Sequence, residues 1–201
     1  MLKFHEIKSG KKAVIFELDD VLFPKKDYDL QVYYLFANFI EYLETFPPAQ
    51  DMLSFMTKRY EVHGNTAMFD EVVKTFGIDA KFKENLALLF TNAKLPLKLL
   101  LYKESLALLQ ELVVNRNDIY ILTSGNPETQ LNKIKQTEWN GLDKYLKVYF
   151  TDEFSKESPI EALDYLLKEN NLAKANVLLV GNPSKQSEMA IKAGIDFLPI
   201  K

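Results

Sequence analysis

The sequence predicts an α/β protein in which a parallel sheet is covered by helices on both faces and a block of helices follows the first strand. Three observations predict it. Short apolar runs rich in β-branched and aromatic residues recur along the chain, as buried strands require. Stretches of helical length and period separate the last four of these runs, and such alternation builds a parallel sheet between helix layers. The segment 25–93 contains no strand-like run.

The first strand is AVIFEL at 13–18. The segment 25–93 then reads as amphipathic helices: DLQVYYLFANFIEYLETF, a piece around MLSFMTKRYEVHG, MFDEVVKTFGI and FKENLALLF. Pro47-Pro48, Gly64 and Gly77 separate them. The aromatic stripe Tyr33, Tyr34, Phe36, Phe39, Tyr42 and Phe46 is expected to form the core of this block. Helix KESLALLQELVVN at 103–115 leads back to the second strand, IYILT at 119–123. Asn126-Pro127 offers an N-cap followed by proline at the first helical position. The third strand is KVYFT at 147–151. Ser158-Pro159-Ile160-Glu161 has the form of a capping box, and Leu163, Leu166 and Leu167 then share one helix face. The fourth strand is NVLLV at 176–180, followed by a second Asn-Pro pair, Asn182-Pro183. IDFLPI at 195–200 is the last and weakest strand.

Composition narrows the function classes. The 201 residues suffice for one domain with a modest insertion, and 47% hydrophobic residues can fill its core. A net charge of −3 leaves no footprint for nucleic acid or an anionic membrane. Without cysteine there is no disulfide, no thiolate catalysis and no zinc–cysteine site. The opening MLKFHEIKSGKK lacks the apolar core of a signal peptide, and QVYYLFANFIEYL is too short to span a bilayer. A cytoplasmic protein is expected. His5 and His63 are isolated and receive no role.

Ligands of an open parallel sheet bind beyond the carboxyl ends of its strands. Four such ends are polar here: Glu17-Leu18-Asp19-Asp20; Thr123-Ser124-Gly125-Asn126; Asp152 with Lys156 further on; and Gly181-Asn182-Pro183-Ser184. Lysine, hydroxyls and amides hold phosphate oxygens, while a carboxylate attacks or binds metal. Asp20 is expected to point away and cap a turn. Asn182 serves equally well as a helix cap.

At these residues the chain resembles the haloacid dehalogenase superfamily, mostly phosphatases that pass through an aspartyl-phosphate intermediate. FELDDVL matches the first motif, ILTSG the second, SKESPIEALDYLL the third and VGNPSKQSEMAIKAGI the fourth. The resemblance implies a Rossmann-like core at 1–24 and 94–201 and a helical cap at 25–93. It places Glu17 at the nucleophile position, Asp19 at the general acid, and Thr123 and Lys156 among the catalytic residues. Ser124, Gly125 and Asn126 become substrate-binding positions. Glu17, Asp19 and Asn182 become the positions around Mg²⁺, with that metal site weak or lost.

Three acids of the motif pattern are replaced: Glu17, Asn182 and Gln186 each stand where the family has Asp. Neutral Asn182 offers Mg²⁺ no charge, and this cation prefers hard anionic oxygens in tight geometry. The extra methylene of Glu17 displaces its oxygens by about 1 Å, and a misplacement of that size can cost roughly 100-fold in rate. The expectation is a homologue with little or no phosphatase activity that retains a site for a phosphorylated or anionic small molecule, with a protein partner as a further possibility. The competing expectation is an active hydrolase of small phosphorylated metabolites using Asp19. Metal-free dehalogenation fits poorly, because such members use Asp as nucleophile and do not need Asp19.

Overall fold

The computed structural model describes residues 10–154, 158–183 and 186–200. The chain divides into two compact units, one of Met1–Lys25, Leu99–Gln130 and Thr137–Lys201, the other of Lys26–Lys98 and Leu131–Gln136.

The first unit is the α/β fold. Its parallel sheet has the order β5 (Leu146–Phe150), β3 (Asp118–Thr123), β1 (Ala13–Phe16), β6 (Val177–Gly181), β7 (Asp196–Pro199). These are the strands expected from the sequence, with ends moved by a residue or two. The central strands β1 and β6 are buried along their whole length, which is why they read as unbroken apolar runs. In register, Phe16 lies opposite Ile121 on one side and Val180 on the other.

Side chains alternate across the strands. Ala13 and Ile15 join Leu163, Leu166 and Leu167 of helix α7 (Pro159–Glu169) and Ala190 and Ala193 of helix α8 (Gln186–Ala193) in one core cluster. Helix α5 (Lys103–Val114) packs on β3 and buries Leu108, Leu109 and Leu112. Two elements were not foreseen: β2 (Leu99–Leu100) and β4 (Thr137–Glu138), which pair in parallel. At two residues each, they carry no periodicity that a sequence could show.

The starts of the helices follow their caps only in part. Asn126 Oδ1 accepts from Thr129 N–H at 3.0 Å and opens helix α6 (Pro127–Gln136). The capping box at Ser158 does not form. That side chain makes no cap hydrogen bond, and Glu161 N–H donates instead to the Ser158 carbonyl at 3.2 Å.

The second unit is helical: α1 (Lys25–Glu44, its first residue counted with the other unit), α2 (Ala49–His63), α3 (Met68–Phe76), α4 (Lys83–Asn92) and the last turns of α6. The helical piece expected at 25–93 lies here, and the unit continues to Lys98 and takes in Leu131–Gln136. Its core is aromatic. Tyr33 meets Phe90 and Tyr60, Phe36 meets Phe69, and Phe39 meets Phe82, all edge to face. The expected stripe is only partly internal. Tyr33, Phe36, Ala37 and Ile40 are buried, whereas Tyr34, Tyr42 and Phe46 are exposed, Tyr42 by 86%. Tyr34 and Tyr42 fall off the i, i+3, i+4, i+7 face, and Phe46 lies past the helix end. Among the described residues no helix is long and apolar enough to cross a membrane.

Candidate functional site at the carboxyl end of the sheet

Glu17 follows directly on β1, and its N–H still donates to Val180 O at 3.1 Å, so the ladder fixes its backbone. Its residue surface is only 7% exposed. Both carboxylate oxygens are engaged. Oε1 accepts from Thr123 Oγ1–H at 2.8 Å and from Leu18 N–H at 3.3 Å; Oε2 accepts from Gln186 Nε2–H at 2.8 Å. Burial raises the Glu17 carboxyl from 4.5 to about 7; the bonds from Thr123, Leu18 and Gln186 pull the other way, and the Asp19 charge adds to the rise.

Thr123 ends β3 and is fully buried. Its hydroxyl donates to Glu17 and accepts from Gln130 Nε2 at 3.1 Å. The same Gln130 amide lies 3.2 Å from Asp19 Oδ2 and 2.6 Å from the Ser124 carbonyl. One side chain from α6 therefore ties the first strand end to the second. Gln130 was missed by sequence reasoning. A signal was present: the helix PETQLNKIKQ has only two apolar residues after its proline, so its inward face had to carry polar groups.

Asp19 is half-buried, and Asp20 is exposed at φ +60° with Oδ1 accepting from Lys25 N–H at 2.9 Å, the turn cap expected of it. Ser124 is half-buried; Gly125 and Asn126 are exposed. Gly125 has φ +106°, and its N–H donates to Asp152 Oδ1 at 3.0 Å, which also accepts from Thr151 Oγ1 at 3.0 Å. Asp152 thereby pins the loop after β3. Asn182 is exposed, and its carbonyl accepts from Gln186 N–H at 3.2 Å. Lys156, Ser184 and His5 lie outside the described residues.

Gly181 ends β6, and a Cβ there would stand 2.8 Å from Gln186 Cγ. The missing side chain is the space in which Gln186 reaches Glu17. The Oε1 atoms of Gln186 and Gln130 are buried without a hydrogen-bond partner among the described residues.

A family model described as haloacid dehalogenase-like hydrolase matches residues 14–200. No curated protein matches. Among solved structures, the chain is similar to the candidate HAD-hydrolase YfnB of Bacillus subtilis, crystallised bound to magnesium: 16% identity over 94% of this chain and 86% of that one, TM-score 0.64. It is similar to a candidate β-phosphoglucomutase from Thermotoga maritima, at 18% identity over 94% of this chain and 85% of that one, TM-score 0.64. It is also similar to an L-2-haloacid dehalogenase of Xanthobacter autotrophicus with chloropropionic acid covalently bound, at 17% identity over 94% and 77%, TM-score 0.53. At these identities the likeness shows the fold.

Proposed function

Because the chain belongs to the haloacid dehalogenase-like hydrolase family, we propose that it is a member with altered catalytic motifs, little or no phosphatase turnover, and a site for a phosphorylated or anionic small molecule. The observation that carries this reading is the engagement of Glu17. A nucleophilic carboxylate needs a lone pair aimed at substrate. Here three of the roughly four lone-pair sites are taken, by Thr123, Leu18 and Gln186, in a buried setting. A carboxyl raised to about 7 is also partly protonated at neutral pH, and the protonated form does not attack.

The groups we assign to a ligand are Asp19, Ser124, Gly125 and Asn126 at the strand ends, with Lys156 as the cation assigned by resemblance. The helical unit follows the first strand in the chain, as the helical cap does in one class of the family, and we assign it that role. No nucleic acid or membrane enters this reading; a cytoplasmic location is part of it, and a protein partner is the other class of binder.

The test is an assay of the purified chain with a generic aryl phosphate and a panel of sugar phosphates and nucleotides, with Mg²⁺. No turnover is expected. The triple variant Glu17→Asp, Asn182→Asp, Gln186→Asp is expected to gain Mg²⁺-dependent hydrolysis. Turnover by the natural chain that disappears in Asp19→Ala would establish the second reading, a working phosphohydrolase. The half-buried Asp19, held by Gln130 and reaching solvent, favours that alternative.

A further inference from the structure

The family reading implies a divalent cation between the first and fourth strand ends, and the residues present do not fit one. Among the described residues no three acids or histidines gather around a common point. The carboxylate that would face the cation already accepts three hydrogen bonds, and the group beside it, Gln186 Nε2, presents hydrogen rather than a lone pair. Turning that amide over would set its oxygen against Glu17 Oε2, two acceptors face to face whenever the carboxyl is ionised. The amide is held the other way even though this leaves Gln186 Oε1 buried and without a partner among the described residues. Gly181 supports the arrangement, since any Cβ would strike the Gln186 side chain at 2.8 Å.

We propose that Gln186 is a positioning residue that takes the place of the divalent cation: its amide N–H supplies the positive end that the buried Glu17 carboxylate needs, and it fills the space a metal would enter. Gln130 plays the matching part on the other side, donating toward Asp19 and Thr123. The strand ends are thereby tied to each other by amides and stay assembled without metal. This inference rests on the family reading above, but its failure is separable from that of the proposed inactivity.

The experiment is thermal melting and calorimetric titration of the full chain with millimolar MgCl₂, against NaCl of matched ionic strength. The natural chain is expected to show no Mg²⁺-dependent shift and no saturable heat. Gln186→Ala and Gln186→Asp are each expected to melt lower in chelator than the natural chain. Each is then expected to rise by about 5 °C or more at saturating Mg²⁺, because the space beside Glu17 is open. Gln186→Ala keeps the test decisive if the Asp variant does not fold. A residue that merely packs would lower the melting point without conferring a response to Mg²⁺. A shift in the natural chain overturns the proposal, and so does a folded Gln186→Ala that ignores Mg²⁺. Phosphate turnover by the natural chain in chelator would instead overturn the proposed inactivity and leave the amide in its role.

Discussion

Glu17 is a carboxyl whose surroundings oppose each other. Three donors favour its charge and burial opposes it, and burial wins. The folded protein consequently holds the proton more tightly than the unfolded chain. The stability this supplies is whole below the unfolded value of 4.5 and is lost as pH rises through about 7. Over that range the loss amounts to about 3 kcal/mol. Glu17→Gln removes the titration, and its new N–H₂ can pair with the Gln186 oxygen, which has no partner among the described residues, once that amide turns over. Urea unfolding at a series of pH values should show the variant gaining on the natural chain by about 3 kcal/mol between roughly pH 4 and pH 8. Parallel curves would mean that Glu17 stays charged. Asp152 makes a narrower case. Asp152→Ala frees the Gly125 N–H and is expected to loosen the loop after β3. Faster amide hydrogen exchange at Gly125 and Asn126, with β3 unchanged, is the readout.

At the scale of elements, periodicity decided what could be read. The β strands of the large sheet were legible because both faces of a parallel sheet are covered, so burial shows as an unbroken apolar run in VLLV or AVIF. The two-residue strands β2 and β4 carry no such signal. In α1 the aromatic content was legible and its facing was not, because aromatic residues occur on more than one side of that helix. Phe36→Ala, fully buried, is expected to cost about 3–5 kcal/mol, whereas Tyr42→Ala, outward on the same helix, should stay within about 0.5 kcal/mol. Chemical denaturation of the two variants compares them directly. At the strand ends, the acids and the hydroxyl announced themselves by position, and Gln186 by its place in the motif frame. Gln130 did not, since a glutamine in a helix is ordinary until its amide is seen to end on a carboxylate.

For the molecule as a whole, the helical unit is not a simple loop-out of 26–98. Leu131–Gln136 belongs with it, and there Asn132 Nδ2 donates to Tyr28 Oη at 3.0 Å and to Ala93 O at 3.0 Å, while the buried Lys133 ammonium lies 5.3 Å from the Tyr28 ring centre. Excising Lys26–Lys98 would strip these partners from the second half of α6. An excised core is therefore expected to melt well below the full chain or to aggregate, as circular dichroism would report. A core that melts as the full chain does would show the two units to be independent. The close approach of Gln186 to Gly181 has a last consequence, for the order of change. An acid introduced at 186 while Glu17 is still long would crowd two negative charges into one buried site. Shortening Glu17 first would merely leave the Gln186 amide without its acceptor. The milder route between this sequence and one bearing the full acid set therefore runs through position 17 before position 186, and single changes taken in the opposite order meet the steeper loss.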